Sequence, residues 1–204
     1  ALAWGDVWFG GKTRNPWNIE KGSSGSSAGP GSATAAGLVA FSLGSETWGS
    51  IVSPSTVNGV TGLRPTFGTV SRSGAMALSW SMDKLGPICR SVDDCALIYS
   101  LIKGTDGLDH SVVDVPFQVP IKKEFQSLRI GYVKNAFDDS ITTDNDRAVL
   151  DRLRDQGFDL IPIELPNFPT SSLSFLLDVE AAAAFDDLTR SNEDDQLVVQ
   201  VKRA

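Results

Sequence analysis

The stretch KGSSGSSAGPGSATAAG, Lys21 to Gly37, holds five serines and five glycines in seventeen residues and runs straight into ordinary globular sequence. Glycine reaches backbone conformations closed to other residues and loses the most entropy on folding, so such a run constrains the fold strongly. Three readings compete: a flexible linker, a phosphate cradle, or a loop that brings hydroxyls and backbone amides to a reacting carbonyl. The flanks argue against a linker, because a spacer joins self-sufficient domains and here a helix of small side chains follows at once. A phosphate-binding P-loop requires Gly-x-x-x-x-Gly-Lys-Ser/Thr, and no lysine lies between Lys21 and Lys84.

Composition narrows the class. The chain has 204 residues, 41% hydrophobic and 21% charged, enough for a single domain over 1–204 with a buried core. A formal net charge of -7 argues against nucleic acid or an anionic membrane as the main partner. No apolar run approaches the roughly 18–20 residues that span a bilayer, and ALAWGDVWFGG at the start does not read as a targeting segment. It opens without Met, and QLVVQVKRA stops as an apolar run develops, so the sequence reads as a piece of something longer. Two cysteines, Cys89 and Cys95, are too few for a secreted disulfide scaffold and suit a reducing, cytoplasmic compartment.

Along the chain, residues 1–31 read as an ordered but irregular surface, with RNPWN as a turn. Pro30 suits the first turn of a helix through GSATAAGLVAF. AFSLGSET reads as a short buried strand and TGLRPTFGTV as a strand with a turn. Ser91 with Asp94 forms a capping-box start for VDDCALIYSLIKG, which places Cys95, Ile98, Leu101 and Ile102 on one face and stops at Gly104. LRIGYV, a Thr143-capped helix ending at Gly157, and FDLIPIEL make a β-α-β unit with parallel strands. A final helix covers about 173–190. The class is α/β, a mixed, partly parallel sheet flanked by helices.

Several serine motifs are decoys. Gly25-Ser26-Ser27-Ala28-Gly29 fits a nucleophile elbow, but no strand precedes it, and the one histidine, His110, sits in a polar turn. Ser81-Met82-Asp83-Lys84 matches S-x-x-K without its companion motifs. In LGSETWGSIVSPST, by contrast, Ser50 follows a strand and a glycine-containing turn. The amides of Thr47, Trp48, Gly49 and Ser50 can line one concavity, as an oxyanion hole requires. Taken alone, an ordinary strand-to-helix turn accounts for the same residues.

The segment from GSSGSSAGPGSATAAG through LGSETWGSIVSPSTVNGVTGLRPTFGTV to SWSMDKLGPICRSVDD resembles the amidase signature family, which includes fatty acid amide hydrolase, bacterial amidases and the A-type component of the tRNA-dependent amidotransferase. The family tract SSGGSAAAVAAG falls on Ser26 to Gly37, and the serine of its GGSI motif falls on Ser50, 24 positions beyond Ser26. The resemblance implies a Ser, cis-Ser, Lys triad. Ser50 is then the nucleophile, Ser26 the proton relay after a cis Gly25-Ser26 peptide, and a buried lysine the base. It also implies an acyl-enzyme and a small-molecule amide as substrate; no cofactor and no metal are expected, and a homo-oligomer is a possible assembly.

The departures matter as well. The family's lysine lies farther upstream than the residues that precede Ser26 here. Lys12, Lys21 and Lys84 do not match it, so the chain is expected to be a central fragment that is inactive alone. Trp48 replaces the first glycine of GGSI, and Val52 stands where many members carry arginine, which favours a free-standing amidase over the amidotransferase component. Ser81, Asp83, Gly86 and Pro87 match a family segment read as structural. A degenerate, non-catalytic binding protein is the reading from outside enzymology.

Overall fold

The computed structural model describes residues 5–119, 128–139 and 141–193. The first four residues and QLVVQVKRA therefore lie outside the described residues. The chain forms two compact units, residues 118–170 and the remainder.

In the larger unit, two hairpins come first. β1 (Val7–Trp8) pairs with β2 (Gly11–Lys12), and β3 (Arg14–Asn15) with β4 (Asn18–Gly22). This segment is more regular than RNPWN alone suggests, and the reason is a set of side-chain bonds. Asn15 Oδ1 accepts the Trp17 amide at 2.8 Å and tightens the turn. Asn15 Nδ2 then donates to Val57 O and Trp17 Nε1 to Asn58 O, both at 2.8 Å, which seats the hairpin on a helix 41–42 residues away.

α1 (Ala28–Ala35) carries Pro30 in its first turn, as expected, and packs on α2 (Val52–Asn58). Small residues permit the approach: a Cβ on Gly31 would lie 3.0 Å from Asn58 Nδ2 and 3.2 Å from Pro54 Cβ. β5 (Ser42–Glu46), β7 (Lys84–Cys89) and β6 (Thr61–Gly62) form an antiparallel sheet in the order β5-β7-β6. β5 alternates rather than being buried throughout: Gly44 and Glu46 face inward while Leu43 is exposed. Ile51 and Ile88 are fully buried where α2 meets the sheet. Cys89 and Cys95 are free, buried thiols, and burial pushes the Cys89 thiol up to about 12.

α3 (Val92–Ile102) starts at Ser91, whose hydroxyl accepts the Asp94 amide at 3.1 Å. Only this half of the expected capping box forms. Cys95 is buried, but Leu101 is 73% exposed and does not share its environment. Gly104, at φ 97°, leaves the helix as expected. The expected final helix is divided at Phe185 into α6 (Leu173–Ala184) and α7 (Asp186–Arg190).

The smaller unit holds β8 (Arg129–Val133), α4 (Lys134–Asp138), α5 (Asp144–Asp155) and β9 (Asp159–Ile163). β8 and β9 pair in parallel, and Thr143 and Asp146 make a complete capping box for α5. The α/β class and the parallel pairing therefore hold.

Buried Glu46 at the end of β5 fixes the start of α2. Its Oε2 accepts the Ile51 and Val52 amides at 2.7 and 2.9 Å, and Arg64 lies 3.3 Å from Oε1. Burial pushes its carboxyl up, but these donors together hold it below the ordinary carboxylate value. A lowered native pKa stabilises the fold fully above the unfolded value of 4.5, and that contribution is lost as pH falls through the native value. Glu46→Gln is thus expected to cost about 1–3 kcal/mol in neutral buffer. The gap to wild type should shrink in acid, as read from thermal or urea unfolding in the two buffers. A second expectation comes from packing. A Cβ on Gly86 would lie 2.1 Å from Leu63 O, whereas one on Gly29 in α1 would meet nothing within 4 Å. Gly86→Ala should lower stability by about 1–3 kcal/mol, and Gly29→Ala should be neutral or stabilising by up to about 1 kcal/mol.

Candidate active site

The serines of the glycine-rich tract have different fates. Ser23 Oγ donates to Ala28 O at 3.1 Å, Ser24 Oγ pairs with Ser53 Oγ at 2.8 Å, and Ser32 Oγ donates to Arg14 O at 2.7 Å. Ser27 Oγ donates to Ser45 O and accepts Ser45 N, each at 3.1 Å, so the decoy elbow serine is consumed by β5. Among the described residues, only Ser26 in this tract has a hydroxyl that bonds to no other protein group. The Gly25-Ser26 peptide is cis.

Ser50 lies in the turn between β5 and α2 and is buried. Gly49 before it sits at φ 103°, a conformation that disfavours a side chain. Helical bonding begins at Gly49, whose carbonyl accepts the Ser53 amide at 2.7 Å. Two bonds join the turn to the tract: Ser27 N donates to Ser50 O at 3.2 Å, and Ser24 meets Ser53. Residues 26 and 50 are thereby neighbours across one backbone hydrogen bond, although no direct bond links their hydroxyls. Like Ser26, Ser50 keeps its hydroxyl uncommitted among the described residues. The amides of Thr47, Trp48 and Ser50 likewise reach no hydrogen-bond acceptor among the described residues. The Gly49 amide differs, because it contributes to lowering the Glu46 pKa.

A cavity of about 260 Å³ opens beside Ser26 and Thr47 and is lined by them and Asp83 together with Met76, Leu78 and Trp80, whereas Trp48, Gly49 and Ser50 are not among its lining residues. Arg72 and Asp109 also line it. Arg72 Nε is 2.9 Å from Asp109 Oδ2, its Nη2 donates to Ser111 Oγ at 2.9 Å, and its guanidinium stacks 4.7 Å from the Phe67 ring. The guanidinium and the Ser111 hydroxyl hold the Asp109 carboxyl far below the usual range. The pair cancels its own charge, which leaves this wall without net charge. Exposed His110 sits at the rim.

Asp83 and Lys84 are the residues least legible in the sequence. Asp83 Oδ1 accepts the Thr47 hydroxyl at 2.5 Å, and Oδ2 accepts the Leu78 and Ser79 amides at 2.8 and 2.9 Å. Lys84 Nζ donates to Thr47 O at 3.2 Å and to Met82 O. Burial pushes the Lys84 pKa down, and nearby Arg64 adds to that shift. The match of Asp83 to a family segment is the one signal that points to this pair. Among the described residues no cluster of three or more potential metal ligands occurs, and no helix is long and apolar enough to cross a membrane.

Comparison with known proteins identifies the family. The family model Amidase matches residues 6–203. The A-type component of glutamyl-tRNA(Gln) amidotransferase from Roseiflexus sp. (strain RS-1) is 39% identical over 179 residues, 85% of this chain and 37% of that protein. The crystal structure of the same component from Thermotoga maritima superposes with a TM-score of 0.78 at 29% identity, covering 88% of this chain and 42% of that one. Native peptide amidase from Stenotrophomonas maltophilia gives a TM-score of 0.74 at 29% identity, covering 94% and 45%. The chain thus spans less than half the length of these relatives. With a family model matched along nearly its whole length, the chain belongs to the amidase signature family.

Proposed function

We propose that the protein is an amide hydrolase that works through an acyl-enzyme on Ser50. The observation that carries this reading is the pair of uncommitted hydroxyls. Ser26 and Ser50, 24 residues apart, meet across the Ser27–Ser50 backbone bond and adjoin amides that have no acceptor among the described residues. In this reading Ser50 Oγ attacks the amide carbonyl while its proton passes to Ser26, which hands it to a neutral lysine. The tetrahedral oxyanion is held by the amides of Thr47, Trp48 and Ser50 in the turn. The proton then returns to the leaving nitrogen, the C–N bond breaks, and water releases the acyl group by the same route in reverse. In this reading the lysine comes from a family position that Lys12, Lys21 and Lys84 do not match.

Val52, which begins α2, offers the substrate no cation, and the Arg72–Asp109 pair adds no net charge to the cavity wall. Neither supplies a net cation that would hold an anionic substrate, and the Asp83 carboxylate also lines the cavity. A second reading rests on the relatives named as components of glutamyl-tRNA(Gln) amidotransferase: the same chemistry would release ammonia for a partner protein.

In the full-length protein, a serine-directed fluorophosphonate is expected to label Ser50, and Ser50→Ala should abolish labelling. Ser26→Ala should slow labelling about 100-fold or more, since positioned proton transfer is worth roughly that much. Mass spectrometry of the labelled peptide decides the matter; label retained in Ser50→Ala would overturn the assignment.

A further inference from the structure

At its Thr47–Trp48 end, the turn that presents the proposed oxyanion donors has little of its own to hold it. Gly49 is at φ 103°, Trp48 is 52% exposed, and the Trp48 amide has no protein acceptor among the described residues. Yet both polar ends of Thr47, the residue that opens the turn, are gripped by consecutive residues. The hydroxyl is held by Asp83 at 2.5 Å and the carbonyl by Lys84 at 3.2 Å. The Thr47–Trp48 peptide is trans, so its carbonyl and its N–H point in opposite directions. Holding the Thr47 oxygen against Lys84 therefore aims the Trp48 N–H away from Lys84.

We propose that Asp83 and Lys84 are positioning residues that lock the Thr47–Trp48 peptide, keeping the Trp48 N–H turned toward the oxyanion that forms at Ser50. The inference rests on the nucleophile assignment above. The grip is itself anchored. The second Asp83 oxygen is fixed by the Leu78 and Ser79 amides, and the Ser79 and Ser81 hydroxyls bond to Glu180 of α6. The negative charge that Asp83 brings near a developing oxyanion is opposed by its neighbour Lys84 and spread over three donors. Neither residue needs to touch substrate.

The test uses the full-length protein and a fluorophosphonate, reading the maximal labelling rate of Ser50 separately from the half-saturating concentration. Lys84→Met and Thr47→Val are expected to lower the maximal rate about 10- to 100-fold, because a misdirected donor forfeits part of what a deleted one does. The half-saturating concentration should move by less than about threefold, the pattern of an interaction made only in the transition state. Thr47→Ser, which keeps the hydroxyl, and Lys84→Arg, which keeps the donor, should recover most of the rate. Should Lys84→Met fail to fold, the near-isosteric Thr47→Val and Thr47→Ser pair decides. Equal maximal rates in wild type and variants, or a change confined to the half-saturating concentration, would overturn the clamp alone. Absence of Ser50 labelling in the wild type would remove the nucleophile and the role of the clamp with it.

Discussion

Ser27 is the tie on which the site's geometry turns. Its backbone N–H donates to Ser50 O, while its hydroxyl both gives a hydrogen bond to Ser45 O and takes one from Ser45 N. One side chain thus acts toward β5 as a paired strand residue would, satisfying a donor and an acceptor that would otherwise be left without partners. The contact demands a bare backbone next to it, since a Cβ on Gly44 would lie 2.8 Å from Ser27 Oγ. Ser26, one residue away, is placed by its neighbour rather than by bonds of its own. Its hydroxyl is thereby held in place while bonding to no group among the described residues.

Around this tie the interior is unusually polar. Ser23, Thr34, Glu46, Asn58 and Ser79 are each at most 1% exposed. Burying such groups is tolerable chiefly when they are hydrogen-bonded, and here their partners are mostly backbone atoms of loops and helix ends, with Asn58 Oδ1 an exception that has no partner among the described residues. Asn58 Nδ2, for example, donates to Ser23 O and Pro54 O, holding the glycine-rich tract against α2. The polar core specifies loop positions that hydrophobic packing alone, which has no direction, could not.

Much of this is legible in the sequence, because turn chemistry, caps and the two serine motifs are local signals. Gly104 and Gly157, both at positive φ, end helices where glycine is expected to end them, and Thr143 caps as its spacing with Asp146 indicates. The cis peptide before Ser26 follows from the family tract rather than from any physical pattern in the chain. What escapes is tertiary. Nothing near Leu101 says that its side of α3 stays exposed, and nothing near Phe185 says that the last helix divides there. Asp83 and Lys84 escape for the same reason: their partner Thr47 is 36 or 37 residues away and gives no spacing that sequence periodicity can reveal. In the sequence Lys84 invites comparison only with a catalytic base, when its visible role is to hold a carbonyl.

The bonds that gather the two serines span short stretches of chain. Ser27 reaches Ser45 across 18 residues, Ser24 reaches Ser53 across 29, and Asn58 reaches Ser23 across 35, whereas Glu180 reaches Ser79 across 101. Closing a loop costs entropy that rises with its length, and a chain emerging from the ribosome meets its short-range partners first. The hydroxyl pair is therefore built from contacts available before α6 has been synthesised, and the late arrival of Glu180 tightens an arrangement already in place.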